Sequence, residues 1–177
     1  MDEDTQLVLA MPRRELFRIN GFTRKIEMDI LHSLTEDTWY AMPASLENNY
    51  DAKEVRLGVV VTRDHGGEQF LIDEYGVALH ATPIPPEAGQ LGSGLVSLRQ
   101  LALVAGKTLV GVTNAQVELV GYCNDDSLPE CRPYFLLVYR LRVPPSEIMP
   151  PGMNWISKVA LHGVPLDPVS ALIMGSW

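Results

Sequence analysis

Apolar side chains recur along this chain in two periods, one close to two residues and one close to three and a half, and each predicts its own kind of element. Val55–Thr62 and Glu68–Asp73 are β-rich runs joined by Arg63-Asp64-His65-Gly66-Gly67, whose glycines supply the positive φ angles of a tight hairpin. Tyr134–Val143, YFLLVYRLRV, is the longest strand candidate. Its apolar first half suits a buried central place, and Tyr139, Arg140 and Arg142 mark its approach to solvent. Shorter strands are expected at Gln6–Met11, ended by Pro12 and read as an edge, at Thr38–Met42, at Val77–Ala81, at Thr108–Thr113, at Val117–Cys123 and at Trp155-Ile156.

The helical period appears first in Ile26, Ile30, Leu31 and Leu34, a one-faced surface helix with Thr23 as its N-cap. Pro43 opens a brief helical segment, Ser146–Met149 forms a small element between prolines, and Asp167 caps a final helix, Val169–Met174, with Pro168 in its first turn. The stretch that organises the rest is Gly92–Gly106, GSGLVSLRQLALVAG. Ser93 or Ser97 can cap its first turn, and Gly106 has the place of a left-handed C-terminal cap. Apolar residues cover nearly its whole circumference, with only Ser97, Arg99 and Gln100 polar. Such a helix is expected to be covered on two sides, by a sheet and by a second layer or a second subunit, and its Gln100, Leu103 and Val104 face is expected to be buried.

This helix also resembles the second half of the Nudix box, in which an Arg-Glu-aliphatic triplet is followed by a pair of glutamates and then by a glycine. Arg99, Leu101 and Gly106 match; Gln100 replaces the first Glu, Leu103 and Val104 replace the pair, Leu91 takes the place of the more distant Glu, and the opening glycine falls on Pro85, with Gly89, Gly92 and Gly94 nearby. The start, LVLAMPRRELFRINGF from Leu7 to Phe22, resembles the beginning of a group of Nudix-like proteins, and Asn154–Met174 resembles a common Nudix close. The resemblance implies an α/β/α sandwich with a mixed β-sheet between helices. It also implies a family chemistry in which helix carboxylates bind divalent metal to polarise a diphosphate and activate water.

That chemistry needs hard oxygen ligands at i, i+3 and i+4 of one helix face. Here those places hold one neutral amide and two hydrocarbon side chains, so no metal and no cofactor are expected, and magnesium enters only if ligands are relocated. Acidic candidates for relocation are Asp73, Glu74 and Glu87, with Glu118 and Asp125-Asp126 on later elements, none at a diagnostic ligand spacing. Ser93 and Ser97 lack the Gly-x-Ser-x-Gly order of a nucleophile elbow, and Gly89–Gly94 lacks the Lys-Ser/Thr ending of a phosphate-binding loop.

Composition narrows the partners. The chain has 177 residues, 46% hydrophobic and 20% charged, with a formal net charge of −8, and its basic pairs stop at Arg13-Arg14 and Arg24-Lys25. Nucleic acid is therefore not an expected partner. The absence of an apolar leader or a long apolar run predicts a cytoplasmic protein with no membrane span, and Cys123 and Cys131 are expected to be free thiols. The expected organisation is a frayed acidic tail over residues 1–5 and one domain over 6–177, its N-terminal portion reaching residue 53 and its core running from 54. The function expected is a non-hydrolytic domain that binds a small molecule or protein or regulates a neighbour. Alternatives are a Nudix-type pyrophosphohydrolase with relocated acids and a structural homodimer.

Overall fold

The computed structural model describes residues 6–145 and 149–177; the expected tail at 1–5 and most of the element expected at Ser146–Met149 lie outside them. The strands are β1 (Val8–Pro12), β2 (Gly21–Thr23), β3 (Trp39–Ala41), β4 (Ala52–Asp64), β5 (Glu68–Asp73), β6 (Leu79–Pro83), β7 (Gln116–Asn124), β8 (Tyr134–Arg142) and β9 (Met153–Ser157). The α-helices are α1 (Met28–Glu36), α2 (Pro43–Leu46), α3 (Leu95–Val110) and α4 (Pro168–Met174), with 3-10 turns at Arg13–Leu16, Pro86–Leu91 and Ala160–Gly163.

β4 is the spine of the sheet. It pairs in parallel with β8 from Glu54↔Tyr134 to Thr62↔Arg142, and antiparallel with β1, β6 and β5 along its length. The path runs β2-β7-β8-β4-β1-β3, with β5, β6 and β9 branching from it, so the sheet is mixed. A strand buried on both faces reads as a nearly continuous apolar run, and β4 is buried at most positions from Ala52 to Thr62. Its side chains alternate between two cores. Val55, Leu57, Val59 and Val61 meet Ile30 and Leu34 of α1 and Leu98 and Ala102 of α3 on one side. On the other, Val60 joins Val138 of β8, Phe70 and Ile72 of β5, and Ile173 of α4.

Several expectations hold in place. The β4–β5 hairpin closes through Gly66 and Gly67 at φ 68° and 127°. β8 is central, and the Asp167 carboxylate caps α4 by accepting from Val169 N at 3.1 Å and Ser170 N at 3.3 Å.

Others are corrected. β1 is not an edge, because β3 pairs along its outer side through Val8↔Ala41. Thr23 does not cap α1: it belongs to β2, which pairs with Tyr122–Asn124, and α1 starts five residues later at Met28. The strand read at Val77–Ala81 forms two residues on, as Leu79–Pro83. α3 does not stop at Gly106, and Thr108–Thr113 is not a strand. The helix continues to Val110 and ends on Gly111 at φ 66°, the left-handed conformation that glycine adopts without penalty. Its N-cap is Gly94, with no side-chain cap, and Ser97 Oγ instead donates to the Gly94 carbonyl at 2.7 Å.

Candidate functional site

The face of α3 that packs on the sheet is set by Leu98, Ala102, Gly106 and Val110, residues four apart that are all buried. Half-buried Leu95, Leu101, Leu103, Ala105 and Leu109 flank that stripe and pack against the same core. The opposite face is open: Val96 is 58% exposed and Val104 50%. Within the described residues the helix is covered on one side, by the sheet, so the expected second cover is not a layer of these residues: four-residue spacing concentrates contact on one stripe even where the other face is also apolar.

Along the box positions, Leu91 is exposed on the turn before the helix, Arg99 is exposed, Gln100 is half-buried, Leu101 and Leu103 lean on the core, Val104 is half-exposed and Gly106 is buried. Gln100, Leu103 and Val104 do occupy neighbouring places on the helix surface, as i, i+3, i+4 spacing requires. The expectation that this face is buried holds for Leu103 only in part and fails for Val104.

A divalent cation does not fit there. Magnesium takes oxygen ligands in octahedral array, and two aliphatic side chains supply none. The acids considered for relocation are spread over the fold. Asp73 Oδ1 accepts from Tyr75 N at 2.9 Å and Val77 N at 2.8 Å, holding the turn after β5. Glu74 and Glu87 are exposed, and Glu118 forms a salt bridge with Arg140. Among the described residues no group of three or more His, Cys, Asp or Glu is placed to hold a metal ion.

Folding does bring Arg99 and Glu118 together. They share a cleft of ≈ 330 Å³ with Gln116, Val117, Arg140 and Arg142, where the start of β7, the end of β8 and the first turns of α3 meet. The positive charge of Arg99 also reaches the Tyr139 phenol. Burial pushes that phenol up to about 12, and Arg99 pulls against the rise.

At the other end of the sheet lies a wider cleft of ≈ 670 Å³, whose lining includes Arg13, Asn48, Asn49, Tyr50, Asp126 and Arg132. Its Arg13 and Asp126 belong to a charge cluster whose third member, Lys53, carries no mark in the sequence. The Lys53 side chain is fully buried, with Nζ 2.8 Å from Asp126 Oδ1, and Arg13 Nη1 lies 2.6 Å from the same oxygen. Burial pulls the Lys53 amine below its ordinary range against the pull of Asp126. Burial also raises Asp126, but Lys53 and Arg13 together outweigh it and hold the carboxyl below its usual range. Asp125 beside it accepts from Ser127 Oγ at 2.6 Å, Ser127 N at 2.8 Å and Leu128 N at 3.1 Å. These bonds, the Ser127 hydroxyl first, lower its pKa and shape the loop between β7 and β8. A lone lysine opening an apolar strand carries no spacing that would mark it in the sequence.

Comparison with known proteins fixes the class of fold. The chain superposes on the crystal structure of Tm1382, proposed to be a Nudix hydrolase, with a TM-score of 0.76 and 16% identity over 94% of this chain and 95% of that one. Looser matches are RenU, a Nudix hydrolase from M. smegmatis, and the C-terminal domain of mouse MUTYH in its complex with human PCNA. RenU matches at TM-score 0.40 and 12% identity over 68% of this chain and 81% of that one. The MUTYH domain matches at TM-score 0.38 and 12% identity over 66% and 81%. No family model matches the sequence, and no curated protein matches it. The chain has a Nudix-like α/β fold, with a mixed sheet between helices. No helix among the described residues is long and apolar enough to cross a membrane.

Proposed function

We propose that this chain is a non-hydrolytic Nudix-fold domain that acts by binding a small molecule or a protein, or by regulating a neighbour through such binding. The observation that carries the reading is the chemistry at the three helix positions where the family would place metal ligands. Gln100 offers one neutral oxygen, while Leu103 and Val104 offer hydrocarbon, and Leu103 is engaged with the core. An amide oxygen alone cannot neutralise or orient a divalent cation, so the polarisation of a diphosphate and activation of water have no means at this helix.

The test is phosphate or nucleoside monophosphate release from a panel of nucleoside diphosphate derivatives, with magnesium and with manganese. Release at background rates is expected throughout. Metal-dependent turnover that persists through a second purification step overturns the reading and promotes a hydrolase built on relocated acids.

A further inference from the structure

The cleft beside Arg99 differs in charge from the rest of this acidic chain. Its lining includes Arg99, Arg140 and Arg142 against one carboxylate, Glu118, in a protein of formal net charge −8. Arg140 is already engaged: Nη1 meets Glu68 Oε1 at 3.2 Å and Nη2 pairs with Glu118. Arg99 and Arg142 form no salt bridge with any described residue. Each comes from a separate element, α3 and β8, and both are exposed where they enter the cleft.

Among the described residues, the cleft lies along an unpaired strand edge. Among the described residues β2 covers β7 only at Tyr122–Asn124, so from Gln116 to Leu119 β7 is paired on the β8 side alone. Gln116 stands opposite Arg142 across that pair and adds a neutral amide to the same cleft. Guanidinium groups present planar, paired N–H donors that match phosphate and carboxylate oxygens, and they stay charged at any physiological pH. A volume of ≈ 330 Å³ is at the small end of the range for small-molecule sites, which start near 300 Å³.

We propose that this cleft binds the oxyanion of a small molecule, a phosphoryl or carboxylate group, between Arg99 and Arg142, with Gln116 as the neutral donor. The site rests on the reading that the domain acts by binding, and names its ligand class. It uses the outward arginine of α3 and not the Gln100, Leu103 and Val104 face.

The test is a titration of isotope-labelled protein in metal-free buffer with inorganic pyrophosphate and, separately, with citrate, followed by amide chemical shifts. Saturable shifts are expected at the Gln116 side chain and along the first half of β7 with at least one probe. The stronger probe tells phosphoryl from carboxylate recognition. Arg99→Ala and Arg142→Ala should each weaken binding about tenfold, and the double variant should abolish it, since a charge-assisted hydrogen bond is worth about one such factor or more. Arg24→Ala, at an exposed arginine outside this cleft, should change nothing. The same spectra report whether each variant is folded, and Arg99→Lys and Arg142→Lys serve in place of any alanine variant that is not. Absence of saturable shifts with both probes, or equal affinity in the double variant, overturns the proposal and leaves the arginines as charges that keep the β7 edge from pairing. Orthophosphate release when magnesium is added to the pyrophosphate samples overturns the non-hydrolytic reading instead, and the arginine variants still decide the site.

Discussion

Gly106 sits directly against Leu141: a β-carbon added at position 106 would lie 2.6 Å from Leu141 Cδ2 and 3.2 Å from Val59 Cγ1. Glycine inside α3 therefore sets how closely the helix approaches β8 and β4.

Gly106→Ala is expected to destabilise the protein although alanine favours helix by about 1 kcal/mol over glycine. Leu141 is fully buried, so it yields only by disturbing its neighbours, and overpacking of this kind costs about 1–3 kcal/mol. Thermal and urea unfolding should show a net loss of up to about 2 kcal/mol. A variant as stable as the parent would mean that α3 can lift from the sheet without cost.

Leu103 and Val104 are adjacent in the chain and should respond differently to the same change. Leu103→Glu places a carboxylate against the core and gives up apolar contact, a loss of about 1–3 kcal/mol. Val104→Glu, on the open face, should stay within about 0.5 kcal/mol of the parent. Equal losses in urea unfolding would show that something covers the outer face of α3.

His80 predicts a pH dependence. It lies on β6 opposite Val59, half-buried, with Nε2 buried and without a hydrogen-bond partner among the described residues. Burial lowers its pKa below the ordinary 6.5, against the opposing pull of Asp73 and Asp167. The unfolded chain therefore binds a proton near pH 6.5 that the folded chain refuses, so stability falls as pH drops from 6.5 toward the depressed folded value. His80→Gln should flatten the unfolding free energy across that window. An unchanged slope would assign the dependence to other groups.

Cys123 and Cys131 are free and buried. The mutual influence of the two neighbouring thiols drives the Cys123 thiol upward and the Cys131 thiol downward, with burial raising both. Both should resist a thiol-specific reagent in the folded protein and react on denaturation. Rapid labelling of either in native buffer would show that the loop between β7 and β8 opens readily.

The features legible in the residues alone are local ones. The β4–β5 hairpin was legible because Gly66-Gly67 interrupts two β-rich runs, the α4 cap because Asp167-Pro168 carries its own start signal, and β8 because ten largely apolar residues suit only a central strand. The spacing of Arg99, Leu101 and Gly106, with the flanking segments, was enough to point to the fold. The remaining features depend on partners distant in the chain. Gly106 looked like a helix end because a glycine's usual local meaning is termination; the approach of Leu141 and Val59 gives it another. Thr23 looked like a cap until Tyr122–Asn124 claimed its backbone for a strand. β1 looked like an edge because nothing in its own residues announces that β3 will pair along it. The two clefts are also tertiary: Arg99, Gln116 and Arg142, like Arg13, Lys53 and Asp126, come from separate elements, and their charges meet only when the sheet order places those elements side by side.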